Sequence, residues 1–393
     1  MKIVPQSREK ELEMKKIKVL QSVYSLGIGG NQIFTMNYYR HINKEKFQVD
    51  FLIFDRKLDF YDEVINGGSK VYIAPKMSEC GKITECIRHM KFVYQVLKEN
   101  DYDIIHIHNC SLLGLIYSVI PAKLNGKVKI ITHSHSEGVL KNLFGEKIMR
   151  TALKTFLSHN VDLGFACSDI AGENKYNKKF CMSEKYFIIP NAVDTEKFAF
   201  NAENRKEIRQ KFNISDEEIV VGNVGRLSNE KNQKFLIEIL RYMRSVQDNS
   251  KVLIVGGGEL EYDLKNLALE LGVKNNLIIT GAVNDVYKYY SAMDVFVMPS
   301  LYEGLPFTAV EAQANGLKCV FADKISRMSN ISGDVTFLSL QDSLSIWREK
   351  IFDAGSSRSD SEHIQQVRNR YNLNVETRKI EQKYKCLVKR DNK

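Results

Sequence analysis

The residues with most chemical content are two glutamates with seven residues between them, Glu303 and Glu311, in the run SLYEGLPFTAVEAQANGL. Pro306 suits the first position of a helix and Gly316 the left-handed residue beyond its end, so the spacing predicts a helix over 306–315. Its start would leave backbone N–H groups around Gly304, Leu305 and Thr308 unpaired. Such a terminus attracts anions, phosphate above all. Glu303 would precede the helix and Glu311 stand on its second turn, one carboxylate on either flank of the anion. Carboxylates accept hydrogen bonds from hydroxyls, so a sugar and a ribose are natural neighbours. The plainer reading is that both are charges favoured by the helix dipole.

A cationic pair shifts the balance. Arg226 and Lys231 lie in GRLSNEKN, directly after the strand-like run IVVGNVG. Arg226 would leave the strand end, and Lys231 would open the next helix. An Arg fork and a Lys point charge there can bracket a diphosphate. The plainer alternative pairs Lys231 with its neighbour Glu230 in a solvated loop. Two cations and two carboxylates on neighbouring elements favour the functional reading.

Glycine turns follow strands in both halves, at Gly27-Ile28-Gly29-Gly30 and at Gly256-Gly257-Gly258. Neither completes GxGxxG, because Gln32 and Glu261 stand where the third glycine belongs. No GxxxxGK[ST] segment occurs, which excludes a P-loop nucleotide hydrolase. Short glycine turns still let backbone N–H groups approach an anion, although each is read first as a plain strand–helix connection. His133 ends the run VKIITH and His135 follows it, so one or both are expected to face a ligand. No carboxylate or cysteine at ligand spacing supports a metal centre there. His106 and His108 share one face of DIIHIH and are read as structural.

Strand-like runs alternating with helix-length segments must position these groups. The pattern is α/β, with two doubly wound parallel sheets. Strands are expected at 17–24, 48–54, 70–74, 103–108, 128–133 and 163–168, then at 219–225, 251–257, 276–281, 294–300 and 318–322. The halves meet at YFIIPNAVDTEKF, which divides the chain into domains at 1–190 and 195–370. A last helix at 374–390 could pack back on the first. Open parallel sheets bind ligands beyond the C-termini of their strands, so one cleft between the domains is the expected site.

A length of 393 residues, with 44% hydrophobic and 27% charged, fits two globular domains. The net charge of +9 is uneven: residues 1–195 hold 28 Lys and Arg against 21 Asp and Glu, the remainder 29 against 27. That surplus suggests an anionic ligand for the first half. Its basic residues are scattered, and no basic recognition helix stands out, which argues against a nucleic-acid partner. Two basic amphipathic segments, 83–100 and 140–159, could lie on an anionic membrane surface. The seven cysteines form no CxxC pair, which opposes a disulfide framework and a thiolate zinc site. No secretory signal stands at the start, and no apolar run reaches the ~20 residues of a spanning helix. The expectation is a cytoplasmic protein, peripheral at most to the inner face of the cell membrane, with Met14 an alternative start.

The EGLP turn with Glu303-x7-Glu311, the GRL–KN pair, IPNAVD and DIIHIH together resemble the glycosyltransferase family 4 group. SLYEGLPFTAVEAQANGL and ITHSHS are most similar to its capsular and exopolysaccharide branch. The likeness spans residues 17–350. It implies a two-domain GT-B fold, with two Rossmann-like domains facing an interdomain cleft, the first binding the acceptor and the second the donor. It also implies a nucleotide-sugar donor, UDP-linked by family frequency, and a glycan acceptor, lipid-linked in this branch. Transfer would retain the anomeric configuration, with no cofactor and no obligatory metal. Arg226 and Lys231 would stabilise the leaving diphosphate, Glu303 would bind sugar hydroxyls and Glu311 the ribose. Gly304, Leu305 and Pro306 would line the donor site. Gly29 and Gly30 would contact donor phosphate or acceptor, and His133, preferred to His135, the donor sugar. Two positions depart from the pattern. Asn31-Gln32 replaces the usual Ala-Glu, and Lys318 replaces a proline. The competing readings are a GT-B sugar-nucleotide epimerase and a nucleic-acid-binding protein.

Overall fold

The computed structural model describes residues 15–75, 82–108, 112–135 and 144–389. The strand-like runs are apolar on both faces, as strands covered by helices on both sides must be. β1 (Ile17–Val23), β2 (Phe47–Ile53), β3 (Val71–Ile73), β4 (Ile104–Ile107), β5 (Lys129–Ser134), β6 (Leu163–Ala166) and β7 (Tyr186–Ile188) form the first sheet. Its order is β3-β2-β1-β4-β5-β6-β7. The second comprises β8 (Ile219–Val224), β9 (Ser250–Val255), β10 (Leu277–Ile279), β11 (Val295–Met298), β12 (Cys319–Ala322) and β13 (Val335–Leu338). Its order is β10-β9-β8-β11-β12-β13. Neighbouring strands pair in parallel throughout.

Strand order reverses between β1 and β4 and again between β8 and β11. Loops diverge at such points and leave a crevice beyond the strand ends. Gly29 and Gly30 follow β1, Arg226 and Lys231 follow β8, and Glu303 follows β11. Each group of candidate residues therefore borders a switch point. β13 is the strand the sequence conceals: its run, VTFL, is four residues long and mostly half-buried at a sheet edge.

The chain passes between the sheets twice. Asn191 Nδ2 donates to the carbonyl of Leu305 at 2.9 Å, fixing the end of the first sheet to the loop before the glutamate helix. On the return, Val193 N donates to Tyr371 O and Leu373 N to Val193 O, both at 3.0 Å. The C-terminal helix, Leu373–Lys389, then packs on β1 and on helix α1 (Gly30–His41) with Ile380, Tyr384 and Leu387 buried.

The two basic amphipathic segments fold as helices Lys82–Glu99 and Phe144–Asn160. Residues 140–143 of the second segment lie outside the described residues. Ile148 and Met149 are exposed on it. Among the described residues, no helix is long and apolar enough to cross a membrane.

Candidate active site at the second switch point

The loop after β8 is built on close backbone approach. A Cβ on Gly256 would stand 2.0 Å from the Gly225 carbonyl oxygen, and one on Gly258 2.3 Å from that of Leu227. Gly225 N donates to Val255 O and Leu227 N to Gly257 O, both at 3.0 Å. The second glycine turn thus serves first as a platform for the Arg226 loop. Arg226 itself is exposed, with Nη2 3.3 Å from Glu259 Oε2, a pairing that solvent weakens.

Lys231 does not open the following helix, as the sequence suggested. It closes a 3-10 turn, Asn229–Lys231, and Asn232 then takes a left-handed φ of 54° before the helix Gln233–Ser245. Asn232 Nδ2 donates to Pro299 O at 3.1 Å and Leu301 N to Glu230 O at 2.9 Å, lacing the loops after β8 and β11 together. This lacing brings Lys231 Nζ into an ion pair with Glu303 Oε1, both side chains only about a fifth exposed. Glu230, the neighbour the plainer reading assigned to Lys231, is not the partner. Ser300 Oγ also reaches Glu303 Oε1 at 3.3 Å.

The helix after Glu303 spans Phe307–Ala314, and Pro306 stands at its N-cap in extended geometry rather than at the first helical position. The residue before a proline is steered away from helical angles, and here the turn leaves Pro306 itself extended too. Gly316 takes a φ of 80°, and Leu317 N closes the end on Ala312 O at 3.0 Å. Glu311 is nearly buried, and its Oε2 accepts the Tyr290 hydroxyl proton at 2.6 Å. Burial raises its acid to about 7, against the opposing hydrogen bond of Tyr290 and the charge of Lys197. Among the described residues Oε1 has no protein donor, so one acceptor remains for a ligand hydroxyl.

The two strand-end histidines differ in burial. His133 is fully buried in β5 between Phe34 and Phe165. His135, past the strand end, keeps partial exposure. Parallel register sets Ile107 beside Thr132, so alternate residues of β4 and β5 share a face. His106, His108, His133 and His135 thus form one stack, with neighbouring ring centroids 4.1 to 5.5 Å apart. Burial lowers the pKa of all four, that of His135 to about 3, so each ring is neutral.

The family model Glycosyltransferase Family 4 matches residues 28–197, and Glycosyl transferases group 1 matches residues 204–334. The chain belongs to the glycosyltransferase family 4 group. It is 28% identical over 344 residues to the putative glycosyltransferase EpsF of Bacillus subtilis, covering 86% of this chain and 88% of the relative. It is also 28% identical to an Escherichia coli enzyme named UDP-Gal:alpha-D-GlcNAc-diphosphoundecaprenol alpha-1,3-galactosyltransferase, with 81% of each chain covered. Anabaena HepE, solved in complex with UDP, superposes with a TM-score of 0.73 at 18% identity, covering 95% of this chain and 100% of the other. The two parallel-sheet domains seen here thus have the GT-B fold of that neighbour.

Within this glycosyltransferase, the two departures from the family pattern have local partners. Asn31 Nδ2 donates to the His108 carbonyl at 3.2 Å, tying the start of α1 to the end of β4. Gln32 Oε1 lies where a Cβ on Gly29 would fall, 2.6 Å away, so Gly29 and Gln32 are packed together. Lys318 Nζ bonds Ser357 Oγ at 3.0 Å, outside the site. His106, His108 and His133 offer ring nitrogens within 4.8 Å of one another. Both nitrogens of His108 and Nδ1 of His106 are already hydrogen-bonded. The set therefore falls short of three free metal ligands. The sequence reading missed Tyr290 and Asn191. No spacing rule marks a buried tyrosine opposite Glu311.

Proposed function

We propose that this enzyme transfers a sugar from a UDP-sugar to a lipid-linked saccharide, with retention, in the assembly of a surface polysaccharide. The observation that carries this reading is the Lys231–Glu303 pair. It stands at the switch point beside the start of the Phe307–Ala314 helix, with the free oxygen of Glu311 beyond. The first domain would receive the acceptor and the second the donor. The wording of the E. coli relative's name and the UDP bound to HepE favour a uridine donor.

In this reading the bond from the anomeric carbon to the diphosphate breaks as the acceptor oxygen bonds the same carbon from the same face. The acceptor proton passes to the departing phosphate oxygen. Lys231 and Arg226 offset the growing negative charge, aided by the helix terminus. Glu303, released from Lys231, binds sugar hydroxyls, and Glu311 binds the ribose. Cations of the chain do this work, so transfer is expected to persist in excess EDTA. The exposed Ile148 and Met149 beside Arg150 could rest on an anionic bilayer, where a lipid-linked acceptor resides. Flotation with anionic liposomes checks that part: protein left wholly in the soluble fraction removes it.

The deciding experiment is a thermal-shift panel of UDP, UDP-glucose, UDP-galactose and GDP-mannose. A selective ligand raises the midpoint by mass action. Uridine ligands are expected to raise it, and a response to GDP-mannose alone would move the donor assignment. Labelled sugar should then pass to lipid-linked saccharide. Donor consumption at full rate without acceptor would contradict transfer.

A further inference from the structure

A single line of hydrogen bonds joins the C-terminal helix to the cleft-side histidine. Tyr384 OH lies 2.6 Å from His106 Nδ1 and accepts from Gln21 Nε2 at 3.3 Å. Gln21 Oε1 lies 2.7 Å from His108 Nε2, and His108 Nδ1 lies 2.8 Å from His135 Nε2. Gln21 sits beside His106 in register on neighbouring strands, so the fold itself aligns the line.

A line of this kind has a direction. A neutral imidazole carries one proton, so one nitrogen donates and the other accepts. Tyr384 has a single hydroxyl proton, which burial keeps in place. It gives that proton to His106 Nδ1 and accepts from the Gln21 amide. Gln21 Oε1 then requires a proton on His108 Nε2. His108 Nδ1 is left as an acceptor, which requires the proton of His135 on Nε2. All three rings thereby take the Nε2–H form that a free imidazole prefers. Turning the Gln21 amide over would reverse every donor in the line. Among the described residues His135 Nδ1 has no partner. A buried acceptor without a donor is unfavourable, so a ligand hydroxyl placed there would be rewarded.

We propose that Tyr384 is a positioning residue for His135: acting through Gln21 and His108, its hydroxyl fixes the proton on Nε2 and presents Nδ1 as the acceptor for a sugar hydroxyl. The claim rests on the cleft being the transfer site, and it assigns the returning C-terminal helix a part in that site beyond covering the first sheet.

The test uses protein labelled with 15N-histidine, whose ring shifts report which nitrogen is protonated. His135→Gln identifies the His135 signals by their loss. Wild type is expected to show His135 and His108 as Nε2–H. Tyr384→Phe keeps the ring packed on Phe47, at a centroid distance of 6.0 Å, but removes the hydroxyl. His135 should then show both tautomers, and kcat should fall on the order of tenfold, the scale of one withheld hydrogen bond. The midpoint shift with UDP should be unchanged. Gln21→Leu interrupts the line elsewhere and should reproduce the result if Tyr384→Phe folds poorly. An Nδ1–H His135 in wild type, or Nε2–H retained in both variants, overturns the proposal. Absence of any UDP response in wild type would instead overturn the functional reading and leave the tautomer result standing.

Discussion

Lys231 and Glu303 are salt-bridged to one another across the second switch point, although each comes from a different loop. The pair holds both groups at the place where a diphosphate and a sugar would meet. In the proposed reaction the donor separates them, giving the cation a phosphate and the carboxylate a hydroxyl. Lys231→Ala is therefore expected to lower turnover on the order of 10²-fold, about 3 kcal/mol, the scale of one preorganised donor. Steady-state kinetics with the donor found by thermal shift check this. A variant with near-normal turnover contradicts the assignment.

Glu311 gives a pH signature. Its folded acid sits at about 7 against 4.5 for the free group, with burial the first cause. Between those values the folded chain binds more protons than the unfolded one, so this group makes stability fall as pH rises through that window and leaves it level above. A hydroxyl donates to the carboxylate form, so UDP affinity should rise from pH 6 to pH 8. Calorimetric titration of UDP across that range checks it. Glu311→Gln should remove this component, leaving only the titration of the nucleotide.

The two strand-end histidines should separate cleanly. His133→Ala opens a cavity between Phe34 and Phe165 and should cost about 2 kcal/mol of stability. His135→Ala should leave the melting temperature nearly unchanged while turnover falls on the order of tenfold, one hydrogen bond to the reacting sugar. Melting curves and kcat measured on both variants distinguish the roles, and a reversed pattern would restore His133 as the ligand contact.

Gly256→Ala and Gly258→Ala would drive a methyl group into the backbone of the Arg226 loop, at 2.0 and 2.3 Å from carbonyl oxygens. Each should destabilise the chain by roughly 1–3 kcal/mol and weaken UDP binding. Gly257→Ala meets nothing closer than 3.5 Å and should be nearly silent. Equal effects at all three positions would show that the turn meets a ligand rather than the neighbouring loop.

The sequence alone determined a great deal. Apolar runs of strand length, separated by amphipathic helices, are legible because burial on both faces keeps β1, β2, β8 and β11 mostly apolar. EGLP and GRL–KN marked the two strand ends that carry the candidate site, and IPNAVD the hinge between the domains, because glycine, proline and charge at a strand end are local choices. Tertiary structure decided what depends on register and on contacts distant in the chain. Only folding pairs Lys231 with Glu303, sets Tyr290 against Glu311, and stacks histidines of β4 and β5 so that His133 is fully buried while His135 keeps partial exposure. Only folding returns Tyr384 to Gln21, which lies 363 residues away in the chain. Burial and hydrogen-bond direction are properties of neighbours in space, and a linear pattern of residue types does not specify which neighbours those are.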